Sequence, residues 1–177
     1  MSNLLGLEEE RRDVGDSQYP DASSGPDPEL SGQVKRGANW FYWIAGLSVV
    51  NSVIFLFGAD VAFLAGLGFT ILVDALIDVS IHNGAPALLK AVAVIFDLIL
   101  VIVFALFAYY AGKRFSVAFI IGILVYALDA LLLLALGLYF MAAFHAFALF
   151  FIIRGFLACR KLNAYDASRP LEPAIGG

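Results

Sequence analysis

Residues 115–153, FSVAFIIGILVYALDALLLLALGLYFMAAFHAFALFFII, decide the fold of this chain. These 39 residues lie between Arg114 and Arg154 and carry a single formal charge, that of Asp129. One continuous helix of this length would be roughly 58 Å long, about twice the hydrocarbon thickness of a bilayer. The stretch must therefore fold back on itself, and Gly137 near its middle predicts a helical hairpin with a very short turn.

The composition of the whole chain predicts a polytopic membrane protein. The 177 residues are 62% hydrophobic, with a mean hydropathy of +0.88 and 15% charged residues. Soluble domains carry about 25% charged residues, so this chain cannot cover itself with polar surface in water. The single cysteine, Cys159, excludes an intrachain disulfide and a cysteine-cluster metal site.

The charges divide the chain into three segments. Residues 1–34 contain eight acidic residues and two arginines, whereas residues 35–177 contain nine basic and seven acidic residues. We expect residues 1–36 to be an acidic, disordered cytoplasmic tail. Residues 37–160 are expected to form a helical transmembrane domain and residues 161–177 a short cytoplasmic tail. No basic surface for nucleic acid and no phosphate-binding loop for a nucleotide is present.

Hydropathy and charge together predict an all-α bundle of four spans, at residues 38–58, 87–111, 116–136 and 139–158. If residues 61–81 do not cross, the basic pairs at 35–36, 113–114 and 160–161 all face the cytoplasm, as the positive-inside rule requires. Both termini are then cytoplasmic. The alternative is five spans, since hydropathy alone also allows residues 61–81 to cross.

Residues 61–81 are interpreted as a re-entrant or interfacial amphipathic helix capped by Asp60. Glycines 66 and 68 allow a close approach of the backbone to a neighbouring helix. A stripe of small and then polar residues recurs every four positions along one helical face. Its members are Ala62, Gly66, Thr70, Asp74, Asp78 and His82.

Four polar residues of the predicted spans fall at one depth. Asp129 and His145 lie eight residues before and after Gly137, so a hairpin places them side by side. Asn51 and Asp97 are expected in the same layer of the other two spans. An aspartate near the centre of an inserted helix costs about 2.5–3.5 kcal/mol, so these groups should face the interior. We predict that Asp129 and His145 touch.

Two functions fit this layer. In the first, the residues fix the helix register and the protein is a non-enzymatic scaffold or accessory subunit. In the second, Asp97, Asp129 and His145 form an outward-facing site for a proton relay, a divalent metal or hydrolysis. HExxH and GxSxG motifs are absent, which favours the first function, and no cofactor is predicted.

Two stretches resemble a family of small bacterial multi-pass membrane proteins that has no assigned activity. They are GANWFYWIAGLSVVNS at residues 37–52 and FHAFALFFIIRG at residues 144–155, and the resemblance covers roughly residues 37–160. It implies a location in the bacterial inner membrane and assigns no catalytic residue. The expected partners are the lipid bilayer and either another membrane protein or a second copy of this chain.

Overall fold

The structure, a computed structural model, describes residues 27–56, 67–86 and 88–168. These residues form five α-helices and no strand. Three of the helices, α3, α4 and α5, are long and apolar enough to cross a membrane. The helices are α1 (Pro28–Leu56), α2 (Gly68–His82), α3 (Leu89–Gly112), α4 (Ser116–Ala135) and α5 (Tyr139–Ser168).

The predicted hairpin is present, and its turn is a Schellman motif. Gly137 has a φ of 76°, the left-handed conformation that favours glycine at this position. The N–H of Leu138 donates to the carbonyl of Leu133 at 2.9 Å, and the N–H of Gly137 donates to that of Leu134 at 3.1 Å. Because only residues 136–138 separate the helices, α4 and α5 pack as antiparallel neighbours.

Helix α3 ends in the same way, but the left-handed residue is not a glycine. Arg114 has a φ of 68°, and the N–H of Phe115 donates to the carbonyl of Tyr110 at 3.1 Å. The guanidinium of Arg114 lies 2.6 Å from the carboxylate of Asp166 on α5. This ion pair helps to hold a backbone conformation that costs an L-residue free energy.

The four long helices form an up-and-down bundle. Cross-helix pairs show that α3 and α5 both run antiparallel to α1. Along α1, Ala38 lies beside Gly112 of α3 and Ser52 beside Asp97, so the contacts run in opposite directions along the two helices. Likewise Gly37 and Trp40 of α1 lie beside Gly155 and Phe151 of α5. The start of α1, the α3–α4 turn and the end of α5 therefore lie together at what we call the basic end. The α4–α5 turn and α2 lie at the opposite, or polar, end.

Close contacts define the interior. Phe41 of α1 lies among Phe104, Phe107 and Phe119, with ring centroids 5.9–6.2 Å apart. A Cβ atom at Gly122 would lie 2.5 Å from the Phe41 ring, so glycine is needed there. The outward surface is also apolar. It includes exposed Val50, Leu98, Ile102, Ile121, Leu124, Leu128, Leu131, Phe150 and Ile153.

The structure corrects both ends of the predicted bundle. Helix α1 begins at Pro28, so residues 28–36 are helical rather than part of a disordered tail. Asp27 accepts a 2.8 Å bond from the N–H of Glu29 and Pro28 occupies the first helical position, a strong start signal. Helix α5 continues to Ser168, because Leu162 is still buried in the core. The expected tails at 1–26 and 169–177 lie outside the described residues.

Helix α2 enters the bundle from the side and contacts α3 and α4. It begins at Gly68, where an added Cβ would lie 2.8 Å from the side chain of Leu133. The predicted close approach is therefore real at Gly68. Asp60, Ala62 and Gly66, to which the sequence assigned a cap and the start of the polar stripe, lie outside the described residues. At the other end, Gly84 with a φ of 94° closes the helix.

Candidate functional site in the buried polar residues

The predicted contact between Asp129 and His145 is present. His145 Nε2 lies 2.9 Å from Asp129 Oδ2, and both side chains are fully buried. The contact joins α4 to α5 at equal distances from Gly137, as the hairpin geometry requires.

Hydrogen positions in this pair follow from the neighbouring acceptors. His145 Nδ1 lies 2.8 Å from the carbonyl oxygen of Met141, and since a carbonyl can only accept, Nδ1 carries a hydrogen. A further proton must lie between Nε2 and the Asp129 carboxyl. Neither nitrogen of His145 therefore has a free lone pair in this arrangement.

The carboxylate of Asp129 also caps helix α2. The N–H of Gly68 donates to Oδ2 and the N–H of Phe69 donates to Oδ1, both at 2.8 Å. These are first-turn amides, which have no acceptor within their own helix. Leu67, at the cap position, supplies no side-chain bond. The positive end of the helix dipole favours an acidic side chain at this position, so the Asp129 side chain does for α2 what an N-cap residue does in other helices.

Tyr126 covers the pair from one side. Its ring stacks on that of His145 with centroids 4.4 Å apart and an angle of 21° between the planes. Stacking of this kind stabilises a cationic imidazole. The Tyr126 hydroxyl is buried without a hydrogen-bond partner in the described part of the chain.

Asp97 belongs to a separate group, between α1 and α3. Its Oδ2 lies 2.6 Å from the hydroxyl of Ser52, and its side chain is only 1% exposed. Its Oδ1 has no partner among the described residues. The structure therefore divides the expected single layer into an Asp129–His145 pair and an Asp97 group.

Asn51 and Asp74 complete the surroundings of Asp97. Asn51 is 8% exposed, and neither its amide nitrogen nor its oxygen has a partner within the described ranges. Asp74 Oδ1 is also buried and unbonded there. Burial raises the pKa of Asp74 to about 7, and repulsion from the nearby Asp97 carboxyl, whenever that group is ionised, adds to the rise.

The polar stripe of α2 becomes steadily more exposed along the helix. Thr70 is buried and donates to the Leu67 carbonyl at 2.8 Å. Asp78 and His82 lie 3.5 Å apart, with side chains 48% and 76% exposed. The stripe therefore leads from the interior of the bundle to the surface of the polar end.

The proposed metal ligands do not come together. Within residues 27–56, 67–86 and 88–168, no three His, Cys, Asp or Glu side chains are placed to hold one ion. Asp97 bonds Ser52, whereas His145 and Asp129 bond each other. A divalent ion at His145, Asp129 and Asp97 would need these contacts to be broken.

Another polar cluster joins the α3–α4 turn to α5 at the basic end. The carbonyl of Arg114 accepts bonds from Cys159 Sγ at 3.2 Å and from Asn163 Nδ2 at 3.1 Å. Asn163 also donates to Ser116 Oγ at 3.2 Å. Phe115, rather than the adjacent Ser116, holds the cap position of α4, and no side-chain cap forms. These contacts fix the turn and leave Cys159 buried.

Sequence reasoning missed two members of the site, Ser52 and Tyr126. Ser52 follows Asn51 directly, and Tyr126 lies three residues before Asp129, so helical spacing puts both beside residues already singled out. Their own hydroxyl groups gave no separate signal, because serine and tyrosine are common in membrane helices.

In the part of the chain that the structure describes, fold and site together define an all-helical protein with three candidate membrane spans and two groups of buried polar side chains near the polar end. The chain matches no protein-family model, and no curated protein or solved structure is significantly similar to it.

Proposed function

We propose that this chain is a four-span protein of the bacterial inner membrane that works without catalysis, as a scaffold or accessory subunit. One observation carries the proposal. Both oxygens of Asp129 and both nitrogens of His145 are engaged in contacts that join α2, α4 and α5. A pair whose polar atoms are all hydrogen-bonded within the protein fixes the positions of the helices and leaves none of these atoms free to bind a substrate.

Three observations support α1 as the fourth span. It lies antiparallel to α3 and α5, two candidate spans. Its central part exposes Val49, Val50 and Val53 away from the bundle. With four spans, the three basic pairs share one end, and exposed Trp43, Tyr109 and Tyr110 form an aromatic belt beside them. Helix α2 is then re-entrant, with its amino terminus at the depth of Asp129.

Thiol labelling tests this topology. In a Cys159→Ser background, a cysteine replacing Asn83 should react with an impermeant reagent added outside the cell. A cysteine replacing Ser168 should react only after the cytoplasm is opened. Labelling of position 83 from the cytoplasm together with position 168 from outside would establish five spans.

The scaffold role assigns the lateral apolar surface to a membrane partner or to a second copy of the chain. A photoreactive amino acid at Leu98, Leu124 or Phe150, which are all exposed, samples three sides of the bundle. We expect one protein adduct of fixed mass at one of these positions. Adducts with lipid alone at all three would contradict the scaffold role.

A metal site is the competing class, and elemental analysis separates it cheaply. Protein purified in mild detergent should contain no stoichiometric zinc or iron. Metal that is bound at one ion per chain and lost in His145→Ala would refute the non-catalytic proposal.

A second candidate function, proton binding within the membrane, is favoured by a different observation. Neither Asp97 nor Asp74 forms an ion pair with a basic side chain in the described part of the chain. A buried carboxyl without such a partner avoids most of its desolvation cost by carrying a proton.

A further inference from the structure

The two contacts of Ser52 accommodate a proton on Asp97. Ser52 Oγ lies 3.1 Å from the carbonyl of Ser48 and 2.6 Å from Asp97 Oδ2. A hydroxyl has one hydrogen, so it makes a full hydrogen bond to only one of the two acceptors. Both contacts become hydrogen bonds if Asp97 Oδ2 carries a proton and donates it to Ser52, which then donates to Ser48.

The same region holds four buried polar atoms without partners in the described residues. They are the two side-chain polar atoms of Asn51, Oδ1 of Asp97 and Oδ1 of Asp74, on three different helices. The large majority of buried side-chain polar atoms have a hydrogen-bond partner. Asn51 lies three residues after Ser48 and directly before Ser52, so it shares the buried face of α1. Because its side-chain amide has no partner among the described residues, we infer that it binds a small polar species, such as water or a hydrated proton.

Helix α2 connects this region to the solvent at the polar end. Asp74, Asp78 and His82 follow one another at intervals of four residues, roughly 6 Å along the helix. Their exposure increases in the same order, and Asp78 and His82 are already 3.5 Å apart. Successive titratable groups at this spacing, linked by water, are the usual form of a proton path in a membrane protein.

We propose that Asp97 binds one exchangeable proton, and that Asp74, Asp78 and His82 of α2 carry it between Asp97 and the solvent at the polar end. The proton comes from water and returns to water, so no other reactant is needed. This inference rests on the second candidate function and is independent of the scaffold role.

Other titratable groups of this half of the bundle do not replace Asp97. Asp129 and His145 hold their proton between them and are locked to α2. Tyr126 packs against that pair. Lys90 lies on the same helix as Asp97, two turns nearer the polar end.

Dicyclohexylcarbodiimide tests the proposal, because it couples to protonated carboxyl groups in apolar surroundings. On the purified full-length chain in lipid nanodiscs, we expect one adduct per chain, located at Asp97 by peptide mass spectrometry. The adduct should be lost in Asp97→Asn and should decline as the pH is raised. Asp166→Asn, which changes an acid at the basic end, should leave it unchanged, and circular dichroism checks that each variant is folded.

Infrared spectroscopy supplies the second readout. In Asp74→Asn, which lacks the other buried carboxyl with a raised pKa, the C=O band of a neutral carboxylic acid should be present, and it should vanish when Asp97→Asn is added. Its shift on transfer to D₂O should slow at least several-fold in Asp74→Asn, since the path is then interrupted.

Three results would overturn the proposal: an adduct on Asp129 instead of Asp97, a band that survives the Asp74→Asn, Asp97→Asn double variant, or exchange that is unaffected by Asp74→Asn. Protection of Asp97 by sodium ions at constant pH would also overturn it, since the site would then bind a metal cation. None of these results bears on the cross-linking test of the scaffold role, so the two can fail separately.

Discussion

Asp129→Asn is expected to release helix α2 while leaving the rest of the bundle folded. The carboxylate accepts three hydrogen bonds, from the amides of Gly68 and Phe69 and from His145. An asparagine has one oxygen and one NH₂ group in place of the two oxygens. In either orientation the NH₂ group faces a backbone N–H, so at least one first-turn amide of α2 loses its acceptor.

The magnitude follows from the hydrogen bonds that the substitution removes. A hydrogen bond to a charged group contributes about 1.5–3 kcal/mol, and a buried donor left without a partner costs about 1–3 kcal/mol. The favourable interaction of the carboxylate with the helix dipole disappears as well. We therefore expect α2 docking to weaken by about 3 kcal/mol, which corresponds to roughly a hundred-fold rise in the undocked population.

The assay is thiol labelling of a Thr70→Cys, Cys159→Ser protein in detergent. Thr70 is buried on α2, so a cysteine there reacts only when the helix undocks, and its rate reports the undocked population. Asp78→Asn is the matched control, because it removes an acid of the same helix whose side chain is 48% exposed. An increase below about three-fold, or one no larger than that of Asp78→Asn, would refute the capping role of Asp129.

Three further outcomes are expected. The pKa of Asp74 is raised from 3.8 to about 7 when α2 is docked, so docking loses stability as the pH rises from about 4 through 7. Because every thiol reacts faster as it ionises, the labelling rate at position 70 is divided by that of a cysteine at the exposed position 83. This ratio should rise over that pH range, and Asp74→Asn should remove the rise. Gly155→Ala should lower the melting temperature of the bundle by several degrees, because a Cβ there would lie 2.6 Å from the Cα of Gly37 and relieving this overlap requires the two helix backbones to move apart. An unchanged melting temperature would contradict this contact. Asp166→Asn should destabilise the protein by about 1 kcal/mol in chemical unfolding, because its ion pair with Arg114 is partly exposed. Adding Arg114→Gly should recover part of this loss, because glycine adopts the φ of 68° without strain. An equal loss in the double variant would argue against strain at Arg114.

The long apolar runs and the residues at which they end or turn could be predicted from the sequence. The 39 residues between Arg114 and Arg154 were too long for one span, and Gly137 marked the turn. Once the turn is fixed, helical rise alone sets Asp129 opposite His145, so their contact followed without any knowledge of the packing. Local chemistry determined these features, because each depends on residues close together in the chain.

Other features depended on contacts between distant residues. The start of α1 at Pro28 was missed because residues 28–36 are polar by composition, and only burial of Val34 in the core shows the helix packing there. The separation of Asp97 from Asp129 also depends on how the helices are rotated about their axes, which residue counts along each span cannot give.

Sequence alone determined the long apolar helices of the chain, its hairpin and the side-by-side placement of Asp129 and His145. Only the tertiary structure decided what Asp129 does. Its carboxylate binds the first amides of α2, which lie 60 and 61 residues away in the chain. The physical reason is that an unsatisfied helix end and a buried charge each cost free energy alone, and only the packing of α2 against α4 lets each satisfy the other.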